Sequence, residues 1–181
     1  MFGETKVVHN FQDSLAASHA ASDLPIWEEI YRAAFRDFAC MVDHRQDGEH
    51  QRAGIDRSVI LENSKQILID EKIRYKAYND IFLEYWSDLE RKIPGWAFKS
   101  LRADYICYAI APTGRAWLFP VQQLQKAIQA HKHEWKTEHS WRLVPNRGYT
   151  TAGIIVDPDT LISAISEAFS VKFTPQPHSS T

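Results

Sequence analysis

Apolar residues recur at helical spacing from Ile26 through Trp27, Ile30, Ala34 and Phe38 to Met41. That period predicts a helix over 25–42. Asp23 is a favourable cap for it, and Pro25 suits its first turn. Residues 1–22 are polar and rich in Ala and Ser, and are expected to form a flexible N-terminal arm. Residues 43–53 form a polar stretch that reads as a loop. From there β-rich segments dominate: Gly54–Leu61, Gln66–Tyr75, Asp80–Trp86, Asp104–Ala111, Arg115–Phe119 and Tyr149–Val156. The short Glu62–Lys65 turn makes the first two an antiparallel hairpin. After the Pro94-Gly95 break a short helix is expected over Gly95–Leu101, and Leu124, Ile128 and His131 set a longer one over 121–135. Asp157-Pro158 starts a last helix running to Phe169. The Pro- and Ser-containing residues 174–181 are expected to be a disordered tail. Together these elements predict an α/β fold with α+β character. One domain over 23–173 would hold a central mixed β-sheet flanked by helices.

Length and composition narrow the class. A chain of 181 residues with 44% hydrophobic and 24% charged residues can bury a full core, which excludes disorder, collagen and low-complexity repeats. The longest apolar run, Tyr105–Ala111, is far short of a membrane span. The N-terminus lacks the basic-then-apolar order of a signal peptide. Two cysteines, Cys40 and Cys107, make no disulfide framework, so a reducing cytoplasm is expected. Both lie among apolar residues and are expected to be buried and inert.

Charge is uneven. The net value is −2, but residues 91–147 carry ten basic and three acidic groups, while residues 44–90 carry seven and ten. That asymmetry suits a protein that holds a cation with one part and a polyanion with another, or is an uneven surface and nothing more.

Asp56 is followed fourteen residues later by Asp70-Glu71-Lys72. Side chains alternate along a strand, so Asp70, Lys72 and Arg74 share one face. Glu71 points to the other, with Ile67, Ile69 and Ile73. A folded hairpin brings Asp56 close to Asp70 with Lys72 alongside. Two carboxylates and a lysine are what metal-dependent phosphodiester hydrolysis requires. Hard oxygen ligands hold Mg²⁺, the ion offsets phosphate charge, and the ammonium orients water or stabilises developing charge.

Gly54-Ile55-Asp56, a turn and then Ile67-Leu68-Ile69-Asp70-Glu71-Lys72 resembles the PD-(D/E)xK nuclease superfamily, with its restriction-endonuclease-like fold. The resemblance covers roughly residues 25–120. Ile55 departs from it, standing where the family name has proline. It implies that Asp56 and Asp70 bind Mg²⁺ or Mn²⁺, that the Glu71 main-chain carbonyl completes the site and that Lys72 is the catalytic lysine. It also implies DNA as substrate, and a homodimer as a candidate assembly because two strands need two sites.

Further candidates follow. Glu84 on the next strand is placed to reach the ion or a second one, or is an edge charge. Glu28 would be the family's helix acid. Arg57 and Arg74 are candidates for phosphate oxygens, or for ordinary pairs with acids. Gln51 is a candidate substrate contact. The segment Arg91–Arg102 mixes four cations with Trp96 and Phe98. Lys99 and Arg102 are assigned to DNA phosphates, and Trp96 to the core. His131, His133 and His139 do not form one helical face and are read as a solvated helix end. Two alternatives compete with the nuclease. One is a catalytically inactive module of the same fold that binds DNA or a protein. The other is a two-carboxylate glycosidase, which leaves Lys72 without a role.

Overall fold

Strand pairing sorts the chain into two sheets, where the apolar pattern predicts one. The structure, a computed structural model, describes residues 25–137 and 140–176. It begins with helix α1 (Ile26–Ala34), strand β1 (Phe38–Asp43) and helix α2 (Gly48–Arg52). Strands β2 (Arg57–Leu61), β3 (Gln66–Arg74), β4 (Ile81–Asp88), β5 (Ile93–Pro94), β6 (Tyr105–Ile110) and β7 (Arg115–Pro120) follow. Helix α3 (Val121–Trp135), strands β8 (Trp141–Asn146) and β9 (Tyr149–Val156), helix α4 (Pro158–Ala164) and strand β10 (Phe169–Lys172) complete it. The larger sheet is mixed, in the order β1-β2-β3-β6-β7-β10, with β3 and β6 parallel. The smaller sheet is antiparallel, in the order β5-β4-β9-β8. The fold is therefore mixed α/β with two sheets.

The second sheet arises from the β3-to-β6 connection. Parallel neighbours need a long crossover. Here the chain spends it on β4 and β5, which pair with β9 rather than with β3. Each face of the large sheet is covered by a different layer. On one, α1 packs Trp27, Ile30 and Tyr31 onto Val59, Ile67, Ile69, Cys107 and Ala109. On the other, Ile106, Tyr108 and Ile110 meet Leu83 and Ile154 of the small sheet and Leu124 and Ile128 of α3.

Several boundaries differ from the sequence pattern. The first helix stops at Ala34, and Phe38 and Met41 belong to β1, an edge strand paired with β2. Their spacing of three is helical, and in β1 it is the irregularity between Phe38 and Cys40 that brings both to the core under α1; the long-range pairing decides. Within the loop expected over 43–53 lies α2, whose cap Asp47 accepts from the N–H groups of Glu49 and His50. No helix forms over 95–101, where the chain makes turns. The last helix ends at Ala164, and Phe169 begins β10, which pairs with β7. β8 forms a hairpin with β9 through Gly148, whose φ of 88° suits glycine. Residues 174–176 are held rather than loose: the Thr174 N–H donates to Glu29, and the Gln176 N–H to the Ala111 carbonyl. Cys40 is exposed because β1 is an edge, whereas Cys107 is buried as expected. The arm over 1–22, Asp23, His139 and residues 177–181 lie outside the described residues. Among the described residues no helix is long and apolar enough to cross a membrane.

Candidate active site

β2 and β3 pair from Ile60↔Gln66 to Arg57↔Ile69 and then part company. Beyond that point β3 runs on alone on this side. Asp56, the residue before β2, fills the gap: its N–H donates to the Ile69 carbonyl, and its Oδ2 accepts from the Glu71 N–H at 2.8 Å. The carboxylate thus replaces one rung of the ladder and is fixed beside the next residue of that face, Asp70. Lys72 Nζ donates to Asp70 Oδ1 at 2.5 Å and lies 3.4 Å from the Glu71 carbonyl oxygen. Asp56, Asp70 and Lys72 are brought together as the alternation predicts.

The electrostatics follow from burial. Asp70 is only 3% exposed. Its removal from water, opposed by Lys72 and reinforced by Asp56, raises its carboxyl to about 6. Its Oδ2 is buried with no hydrogen-bond donor. A buried carboxylate oxygen without a partner is costly, and it lies beside the carboxylate of Asp56. An oxygen set of this kind, two carboxylates and the nearby Glu71 carbonyl, suits a hard divalent cation. Among the described residues no group of three His, Cys, Asp or Glu side chains converges, so any ion here would lean on the main-chain oxygen and on water. Burial pulls the Lys72 ammonium down, but Asp70 and Asp56 outweigh it and hold it above the ordinary lysine range.

The opposite face of β3 carries a separate polar cluster. Glu71 accepts from Tyr31 Oη at 2.5 Å, from Arg57 Nε at 2.7 Å and from Arg45. Arg57 also pairs with Asp43 at 3.3 Å. The assignment of Arg57 to phosphate is therefore corrected: it is buried on the wrong side of the sheet and committed to Glu71. Glu28 is corrected too. α1 covers this same opposite face, and Glu28 is exposed and paired with Arg32 at 2.6 Å. Gln51 donates to the Arg45 carbonyl and so holds the α2 loop rather than a substrate.

Glu84 comes to the site from the small sheet. Burial raises its carboxyl, against the pull of Lys72, the Trp96 N–H and Lys99. The Pro94-Gly95-Trp96 turn wraps it closely: a side chain at Gly95 would strike the Glu84 carbonyl and Cγ. Trp96 lies in the core, as expected, and also lines the cavity beside Lys72. Arg74 Nη1 pairs with Asp80 at 2.8 Å, its guanidinium stacks over Tyr78, and it too lines that cavity. Lys99 and Arg102 are both exposed. Sequence reasoning missed Phe82 and Tyr108 as cavity residues, since nothing local distinguishes them from core. It also missed His44. The His44 N–H donates to the Asp56 carbonyl, its Nε2 is 2.7 Å from Ser58 Oγ, and its ring stacks on His50.

Comparison with family models, with curated proteins and with solved structures gives no match to this chain.

Proposed function

We propose that this protein is a divalent-metal-dependent nuclease of restriction-endonuclease-like type that hydrolyses DNA phosphodiester bonds. The observation that carries the reading is the orphaned Asp70 Oδ2, buried beside Asp56 with Lys72 at 2.5 Å from the other carboxylate oxygen. Asp56, Asp70 and the Glu71 carbonyl would hold Mg²⁺ or Mn²⁺. When bound, such an ion supplies charge neutralisation and Lewis acidity at the scissile phosphate. The chain's own residues supply the rest. Because two carboxylates keep Lys72 protonated, it acts as a fixed cation, stabilising charge that grows on a phosphate oxygen. Glu84, from the second sheet, adds a further negative charge that favours the ammonium form. A glycosidase reading has no use for a lysine locked to one of its two acids.

Lys72→Ala is expected to keep metal binding and to lose about 100-fold or more in cleavage rate. Calorimetry with Mn²⁺, alongside Mg²⁺-dependent cleavage of plasmid and single-stranded DNA, checks both. Cleavage that survives Lys72→Ala and Asp70→Ala alike would place the activity elsewhere. The exposed cations have a separate role. Neutralising Lys99 and Arg102 together is expected to weaken DNA binding and to reduce its salt slope by about 1–2, roughly one released counterion per contact. Titrations at several salt concentrations read that slope, and an unchanged slope removes both residues from the interface.

A further inference from the structure

A cavity of about 720 Å³ opens between the two sheets next to Lys72. That volume falls in the range of small-molecule sites. Its lining combines three aromatic rings with three cations and one acid. Trp96 and Tyr108 form a rigid wall, with ring centroids 6.2 Å apart. The Phe82 ring rests against Gly153, where any side chain would strike its edge, and it lines the cavity as well. Lys72, Arg74 and Lys99 bring positive charge to this space, and Glu84 offers a carboxylate acceptor within it.

From this we infer that the cavity receives one unpaired nucleotide of a DNA strand next to the scissile phosphate. The protein therefore acts on single-stranded or flapped DNA in preference to intact duplex. The inference rests on the nuclease reading, because the cavity shares Lys72 with the hydrolytic site. A nucleotide matches the lining in each part. Its base has a flat π face for an aromatic ring and, in three of the four bases, an exocyclic amino group for a carboxylate, and its phosphates seek ammonium and guanidinium groups. A base inside a duplex has its faces covered by its neighbours, so only an unpaired one can enter a recess of this kind. A purely apolar ligand would make no use of the charge that Lys72, Arg74, Lys99 and Glu84 bring to the cavity.

The test uses Asp70→Asn protein in EDTA, which cannot cut, and reads fluorescence anisotropy. The probes are a short labelled single strand and the blunt duplex of the same sequence. The parent variant is expected to bind the single strand more tightly at equal salt. Phe82→Leu keeps an apolar side chain but removes the ring, and should weaken single-strand binding about tenfold while changing duplex binding less than about twofold. Phe82→Tyr should restore it. Equal affinity of the parent for both DNAs overturns the proposal even if the Phe82 variants fold poorly. An equal loss on both DNAs in Phe82→Leu overturns it as well. Wild-type cleavage separates the two readings. Metal-dependent cutting without any single-strand preference defeats the cavity proposal alone. Selective binding with no cutting of any DNA defeats the nuclease reading alone.

Discussion

Asp70→Asn is expected to make the protein more stable and catalytically inert at the same time. In the metal-free fold, burial raises the Asp70 carboxyl to about 6, against an ordinary 3.8. The folded chain therefore keeps this proton over a pH window in which the unfolded chain has lost it. The stability this gives is fully present below about pH 4 and is lost as pH climbs to about 6. A difference of that size corresponds to about 3 kcal/mol, with little solvent screening because the side chain is only 5% exposed. An asparagine has no charge to bury, its Oδ1 can still accept from Lys72, and Asp56 remains as a counter-charge for the ammonium. At pH 7 in EDTA the variant should therefore melt about 5–10 °C above wild type, with the gap closing near pH 4. Mg²⁺ should raise the wild-type Tm and leave the variant unmoved, because only the carboxylate gains a partner. On the proposed nuclease reading, cleavage should fall by about 10³-fold or more, since the ion would lose a ligand worth several kcal/mol of transition-state stabilisation. Melting curves at the two pH values, with and without Mg²⁺, check the first half, and single-turnover cleavage checks the second. A variant that is less stable at pH 7 would mean that the carboxylate is not held at a cost.

The three residues of the site were legible because strand alternation is local and strict. Asp70 and Lys72 two apart must share a face, and a four-residue turn must return the chain alongside them. The face of Glu71 followed from the same rule. The second sheet was not legible. Asp80–Trp86 reads as a strand whichever neighbour it takes, and the choice of β9 over β3 is made by long-range packing of Leu83 against Ile154 and Trp96. Phe38 and Met41 were misassigned for a related reason: their spacing of three is helical, and only the pairing with β2, with its irregularity between Phe38 and Cys40, makes a strand of them. Arg57 and Glu28 were misplaced because an ion pair and a helix face depend on which layer covers which side. That layer is α1, and it covers the side away from the site.

That covered side carries the largest expected loss of stability. Glu71→Ala removes the carboxylate that holds Tyr31, Arg45 and Arg57 together. Arg45 and Arg57 are 7% and 3% exposed, so two guanidinium groups would lose their shared buried counter-charge. Breaking a buried pair from one side costs about 3–5 kcal/mol, and here one acid serves two cations. The Tm should fall by about 10 °C or more. The loss reaches the site through the backbone, because the Glu71 N–H fixes Asp56 Oδ2. On the proposed reading, cleavage by the fraction that remains folded should therefore fall as well, although the Glu71 side chain lies on the face away from Asp70 and Lys72. Glu71→Gln, which keeps an acceptor oxygen and the shape of the side chain, should lose less. Replacing Glu71, Arg45 and Arg57 together by methionine should recover part of the loss, since the cost lies in burying two guanidinium charges without Glu71 rather than in the missing ion pairs. Thermal melts of the three variants decide the matter. A Glu71→Ala protein melting within about 3 °C of wild type would show that water reaches the two arginines and that this cluster does not anchor the hairpin.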